Sequence, residues 1–211
     1  MRMFITLEGP DGSGKTSHVK PLAEWLEGQG YHVHTAREPG GTAISEQIRT
    51  VIHDLKNTEM NPRTETLLYQ AARAQIVEQV IRPKLAAGWI VLCDRYADST
   101  LAYQGYGHRQ NLDEVRSLVR YATGGLVPDL TLLLDVDAQT GLSRRQKSGG
   151  EWNRLDAYQL EFHCRVRDGY LELVRQEPMR WVKIDAGKDW ETVQQELRRV
   201  VSERIKKIRL T

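Results

Sequence analysis

The chain has 211 residues, of which 40% are hydrophobic and 27% charged, with a formal net charge of +2. That length suits one domain on a single core, and the composition excludes a disordered or membrane-spanning chain. The near-balanced charge argues against a nucleic-acid-binding face, and no stretch reaches the roughly 18 apolar residues of a membrane helix.

Short apolar runs alternate with longer amphipathic stretches. The first run, residues 3–7, reads as a strand; Glu8 cuts it off too early for the apolar core of a secretory signal. Gly9-Pro10-Asp11-Gly12-Ser13-Gly14-Lys15-Thr16 follows and opens a helix containing Val19, Leu22 and Leu26, which Pro21 is expected to kink. Further strands are expected at residues 33–36, 89–93, 130–136 and 181–184, several without polar alternation, as in strands covered on both faces. Leu68, Ala72, Ile76 and Val80 make one helical stripe. Asn111 with Glu114 reads as a capping box ahead of Leu112, Val115, Leu118 and Val119. Tyr158, Phe162, Val166 and Tyr170 make another stripe, and Trp190, Val193, Leu197, Val200, Val201, Ile205 and Ile208 mark a last helix. Residues 147–153, with Ser148-Gly149-Gly150, lack periodicity and are expected to form a mobile loop. Strand and helix in alternation predict a doubly wound α/β fold on a parallel sheet. Of the two cysteines, Cys93 closes an apolar run and reads as core. No disulfide framework is in view, which suits a reducing, cytoplasmic setting.

Residues 9–16 match G-x-x-x-x-G-K-[ST] at every position. In such a P-loop the glycines let backbone N–H groups wrap phosphate oxygens at a helix start. Lys15, expected on a solvent-facing loop, reaches the outer phosphates of ATP, and the Thr16 hydroxyl ligates Mg²⁺. No N-K-x-D guanine motif occurs, the only D-x-x-G lies inside the P-loop, and no strand ends in Asp-Glu. A GTPase and a mechanical ATPase are thereby disfavoured. Asp94-Arg95 stands at a strand's C-terminal end, where parallel sheets place ligands. Its carboxylate suits Mg²⁺ held through water, and its guanidinium suits a second phosphate; a structural ion pair is the plainer alternative.

Thr6-Leu7-Glu8-Gly9, the P-loop, Arg37-Glu38-Pro39-Gly40-Gly41-Thr42, Ala71-Ala72-Arg73-Ala74-Gln75, Asp94-Arg95-Tyr96 and Ser99-Thr100-Leu101-Ala102-Tyr103-Gln104-Gly105 together resemble the thymidylate kinases, in order and spacing, as far as Tyr170. The resemblance implies one nucleoside-monophosphate-kinase-like domain over residues 1–211, with five parallel strands flanked by helices and a lid over about 144–156. It also implies phosphorylation of dTMP by ATP and a homodimer. Carried over position by position, it implies that Tyr69 stacks on thymine where the family usually has Phe, and that Arg73 bonds a thymine carbonyl. Thr100 then meets the pyrimidine edge, Gln104 in the same motif is a further substrate-binding residue, and Tyr103 fills the space of a ribose 2′-hydroxyl. Asp11 meets the 3′-hydroxyl, and Arg95, aided by Arg37, clamps the acceptor phosphate. Alone, Tyr69 equally reads as half-exposed packing, and residues 38–41 as a tight turn.

Arg144, Arg145, Lys147 and Arg154 bracket the glycine loop. Such a cluster is ordinarily a solvated face. Gly12 stands where some thymidylate kinases carry a basic residue, and the chain looks like the subgroup in which lid arginines, here Arg154 above all and then Arg144, supply that charge. The family's lid commonly reads Asp-Arg-x-Glu; here Asn153-Arg154-Leu155-Asp156 keeps the arginine and alters its neighbours.

Overall fold

A computed structural model describes residues 1–147 and 153–209. The expected loop at Ser148-Gly149-Gly150 lies outside them. Five strands, β1 (Met3–Glu8), β2 (Val33–Arg37), β3 (Ile90–Asp94), β4 (Leu130–Asp135) and β5 (Trp181–Asp185), form one sheet in the order β2-β3-β1-β4-β5, every pairing parallel. Each lies within a residue or two of its expected place. β1 is buried along its whole length, because helices cover both faces.

Alternation along β1 divides the core. Met3, Ile5 and Leu7 face α1 (Lys15–Gly28) and α9 (Trp190–Arg209), packing on Leu22, Leu26, Leu197 and Val201. Phe4 points the other way, into a cluster with Val91, Cys93 and Tyr96. On that face Thr6 and Glu8 follow Phe4 at the two-residue period of a strand, so polar groups appear as β1 nears its C-terminal end. α1 runs on through Pro21.

Two helices of ten residues or more were not expected, besides two short ones described below. α2 (Ala43–His53) is capped by Thr42, whose Oγ1 accepts from Ser45 N at 3.1 Å; it packs on α3 (Pro62–Ile76). After α3 come a π-helical turn (Val77–Ile81) and the short α4 (Arg82–Ala86). β3 leads into α5 (Ala97–Thr100) and a second π-helical stretch, Leu101–Gly107, which carries Tyr103 and Gln104. Next comes α6 (Leu112–Thr123), where the Asn111 Oδ1 accepts from Asp113 N and Glu114 N. The other unexpected helix, α7 (Ala138–Lys147), carries Arg144 and Arg145. α8 (Leu160–Gln176) holds Phe162, Val166 and Tyr170, whereas Tyr158 precedes it. Among the described residues no helix is long and apolar enough to cross a membrane.

Candidate active site

The loops after β1 and β3 meet at the C-terminal edge of the sheet, with neighbours departing to either side, which is where open parallel sheets leave a crevice. Lys15, the first residue of α1, is 5% exposed, so the expectation of a solvent-facing lysine fails. Its Nζ donates to Gly9 O at 2.9 Å, Pro10 O at 2.8 Å and the Ser13 Oγ at 3.1 Å. Burial, then the nearby Arg95 guanidinium, lowers its pKa to about 8, against the pull of Asp11, Asp94 and Glu8. The Thr16 hydroxyl donates to Asp94 Oδ2 at 2.5 Å.

Gly12 answers for the missing P-loop base. Its φ is +73°, and a Cβ there would lie 1.9 Å from the carbonyl oxygen of Gly141. In turn, a Cβ on Gly141 would lie 2.4 Å from Asp11 O. The P-loop backbone is thus pressed against α7, and no side chain fits between them.

Arg95 is the hub of the crevice. Its φ of +66° puts a non-glycine residue in the left-handed region, a strain of about 1–3 kcal/mol. In that conformation Nη2 donates to Asp11 Oδ1 at 2.6 Å and to the Tyr103 hydroxyl at 3.1 Å. Nη1 reaches Gly9 O at 3.0 Å and the Ser99 and Tyr170 hydroxyls at 3.2 Å. The Tyr103 hydroxyl donates to Asp11 Oδ2 at 2.7 Å. Burial works to raise the Asp11 pKa, but Arg95, Lys15 and Tyr103 prevail and hold it at about 2. Beneath the hub lies Glu8, fully buried, accepting from Tyr96 N at 2.7 Å, the Ser99 Oγ at 2.6 Å and the Tyr170 hydroxyl at 2.9 Å. Burial, then the Asp98 carboxylate, raises its pKa to about 7.

A second group surrounds Arg73, which is 1% exposed. Its Nε donates to Glu38 Oε2 at 2.7 Å, Nη1 to Gln70 Oε1 at 2.9 Å and Thr100 Oγ1 at 2.8 Å, and Nη2 to Tyr96 O at 2.9 Å. Burial pushes the Glu38 carboxyl up and Arg73 opposes it. Tyr69, one turn earlier on α3, is half-buried, with its phenol pushed up by burial and by Glu65.

Both groups open into one cleft of about 640 Å³, lined by Asp11, Lys15, Thr16, Arg37, Tyr69, Arg73, Asp94, Arg95, Thr100, Tyr103, Gln104 and Arg144 among others. Arg37 is bound to Glu46 Oε1 and Oε2, at 2.7 and 2.9 Å, and to Pro39 O. Arg144 donates to Ala186 O at 2.6 Å, and Arg145 pairs with the buried Asp156 at 3.2 Å. Arg154 does not line the cleft: it is 6% exposed and pairs with Glu65 Oε2 at 2.5 Å, while Nε donates to Ile52 O and Nη1 to the Tyr158 hydroxyl. Glu65, also met by Gln104 Nε2 at 2.7 Å and His108 at 3.1 Å, is a buried carboxylate that gathers cations and donors. Burial opposes its ionisation, yet His108 and Arg154 hold its pKa at about 2.

The sequence model of the family described as Thymidylate kinase matches residues 7–197. The chain is 50% identical over 213 residues to the thymidylate kinase of Roseiflexus castenholzii, covering 95% of this chain and 93% of that one. It is 47% identical over 221 residues to that of Herpetosiphon aurantiacus, covering 93% and 94%. The crystal structure of thymidylate kinase from Ehrlichia chaffeensis is 34% identical and aligns with a TM-score of 0.78, covering 95% of this chain and 98% of that chain. The chain belongs to the thymidylate kinase family. The parallel five-stranded fold expected for that family is the fold observed.

Three lining residues of the cleft went unnoticed in the sequence: Ser17, directly after the P-loop motif, and the pair Arg49 and His53. That pair is the more informative. They lie four apart on α2, and the signal for both was the missed helix: Ile44, Ile48, Val51 and Ile52 recur at helical spacing. Glu65 was also missed, because its partner Arg154 lies 89 positions away and no local pattern links them.

Proposed function

We propose that the chain transfers the γ-phosphoryl group of ATP to dTMP, giving dTDP and ADP on the way to dTTP. One observation carries this reading: a phosphate-cradling P-loop and the Arg73–Gln70–Thr100 polar group share a single cleft, with Arg95 and Asp11 between them. A donor triphosphate on Gly9, Pro10, Asp11, Gly12, Ser13, Gly14, Lys15 and Thr16 then faces an acceptor phosphate held by Arg95, helped by Arg37. Tyr69 offers a ring face for the base, Arg73 and Thr100 its polar edge contacts, and Tyr103 and Asp11 border the sugar. Gln104, through its bond to Glu65, holds the wall behind them.

Phosphoryl transfer asks little covalent chemistry of a protein; it asks for position and for positive charge where charge spreads on the moving group. Arg95 Nη2 donates directly to Asp11, whose carboxylate also attracts Lys15, so one anion offsets the repulsion between the two cations. The oxygen pair Thr16–Asp94 is a hard donor set that suits Mg²⁺, whose other ligands are ordinarily water and phosphate. When bound there, Mg²⁺ would neutralise charge between the outer phosphates.

We further infer that the chain is of the subgroup without a P-loop base. The Gly12–Gly141 contact supports this reading: it bars a side chain from the P-loop and sets α7, with Arg144 and Arg145, beside it. Arg144 is then the better placed of the lid arginines over about 144–156, and Arg154 serves as the anchor of that segment on Glu65. A single kinase domain, working as a cytoplasmic homodimer, completes the proposal; exposed Ile44 and Val51 on α2 and Leu67 on α3 support the pairing.

The test is an ATP-dependent assay with dTMP, dUMP, UMP, AMP and thymidine as acceptors. dTMP should give the highest kcat/KM. Preferred phosphorylation of another acceptor, or hydrolysis without transfer, would overturn the proposal.

A further inference from the structure

Tyr170 is fully buried and is not among the residues lining the cleft, yet it meets the guanidinium at the cleft's centre. Its hydroxyl accepts from Arg95 Nη1 at 3.2 Å, donates to Glu8 Oε2 at 2.9 Å and lies 2.9 Å from the Ser99 Oγ. Ser99 repeats the pattern, accepting from the same Nη1 at 3.2 Å and donating to the same Glu8 oxygen at 2.6 Å. Glu8 thus acts on the guanidinium through two hydroxyls. Its other oxygen accepts from Tyr96 N at 2.7 Å, while Arg95 N donates to Leu7 O at 3.0 Å. The last two residues of β1 therefore hold the backbone on both sides of Arg95, which is how a non-glycine residue keeps a φ of +66°.

The seat of Tyr170 is equally determined. α8 lies so close to the Leu101–Gly107 stretch that a Cβ on Gly169 would come within 2.7 Å of the Tyr106 side chain, and one on Gly107 within 2.7 Å of the Phe162 ring. The Tyr170 ring stands edge-on to Tyr103 and Trp181, with centroids 6.3 and 6.4 Å away. The two phenols divide the arginine between them: Tyr170 meets Nη1 and Tyr103 meets Nη2. Arginine has a long, rotamer-rich stem, and holding it in place before the ligand arrives removes an ordering cost from binding. A buried hydroxyl behind the cleft wall acts on a ligand by that route, through the residue it holds.

We propose that Tyr170, backed by Glu8, is a positioning residue for the acceptor: its hydroxyl fixes Nη1 of Arg95, and so sets where the phosphate of the monophosphate is gripped. The proposal rests on the dTMP kinase reading. The experiment measures equilibrium dissociation constants of dTMP and of thymidine, which has the same base and sugar and no phosphate. The proteins compared are wild type, Tyr170→Phe, Arg95→Lys and the double variant. Tyr170→Phe keeps the ring and removes one partner of a charged donor, so it should weaken dTMP binding roughly ten-fold. Thymidine binding should stay within about two-fold, whereas a merely structural loss would weaken both ligands alike. In the Arg95→Lys background, where no fork remains to be held, the same change should alter dTMP affinity by less than about two-fold. Glu8→Gln, also outside the cleft lining, should show the same selective loss to a smaller extent, and it decides alone if Tyr170→Phe does not fold. An unchanged dTMP affinity overturns the proposal. So does a parallel loss for thymidine, or a full further loss in the Arg95→Lys background. Wild-type protein that does not phosphorylate dTMP at all breaks the underlying reading instead, a result visible before any variant is made.

Discussion

Arg73 and Arg144 line the same cleft in opposite circumstances. Arg73 is buried, and its nitrogens meet Glu38, Gln70, Thr100 and the Tyr96 carbonyl. Arg144 is exposed, on the last turn of α7, resting on the carbonyls of Ala186 and Gly187. A guanidinium locked by an ion pair and neutral partners in a dry wall recognises shape at a fixed place and cannot follow a moving group. One held, among the described residues, by carbonyls at the rim can exchange them for phosphate oxygens at little electrostatic cost. On the proposed reading, the Arg73 wall holds the acceptor rigidly and the α7 side redeploys its charge.

The largest effect expected belongs to neither arginine. Lys15→Ala should lower turnover by roughly 10³-fold or more, since it removes a preorganised cation from the phosphate cradle. Because Lys15 is buried and bonded to Gly9 O and Pro10 O, its melting temperature should also shift, and both should be measured on the same sample.

The contrast itself is tested by Arg144→Ala against Arg73→Met. The first should reduce kcat by roughly 10²–10³-fold, as for a lost transition-state donor, with an unchanged melt. The second should destabilise the fold by about 3–5 kcal/mol, because Glu38 is left buried with its charge uncompensated, and should raise KM for dTMP. If Arg144→Ala unfolds earlier than Arg73→Met in denaturant, the division into a rigid and an adaptable side is wrong.

Arg154→Met sharpens the same point within the lid. Removing the partner of a fully buried carboxylate should cost about 3–5 kcal/mol in chemical denaturation. Turnover per folded molecule should fall less than in Arg144→Ala. The reverse ranking would return the transition-state role to Arg154.

The smallest effect concerns pH. Glu8 holds its proton up to about pH 7 in the native state, while an unfolded glutamate releases it near the ordinary 4.5. Between those values the native state binds more protons, so this contribution to stability, full below 4.5, is lost as pH rises through 7. Glu8→Gln should remove that component, seen as a difference in unfolding free energy between variant and wild type that changes across pH 4.5–7. A constant difference over that range would mean Glu8 titrates normally.

Much of this was legible in the residues. The five strands carry their own apolar runs, and the residues of Asp11, Arg95 and Tyr103, separated in sequence by up to 92 positions, meet because each sits in a motif at a strand's end or just beyond. α2 escaped because Ile44 and Val51 point outward, which blurs a core-facing stripe, and α7 because it is mostly polar. The burial of Arg154 was not legible at all. An arginine beside a glycine loop looks the same in sequence whether it faces a phosphate or a carboxylate on a distant helix, and only tertiary packing chose Glu65.

The Gly12–Gly141 approach limits how this sequence can change. A lysine or arginine at position 12 collides with the α7 backbone, and even an alanine at 141 collides with the P-loop. Neither position can drift alone, though neither has a side chain to conserve. Grafting a P-loop base onto this chain would first require α7 to retreat, and that would carry Arg144 and Arg145 away with it. A side chain at position 12 and the present seat of α7 therefore exclude one another, and neither can be gained without giving up the other.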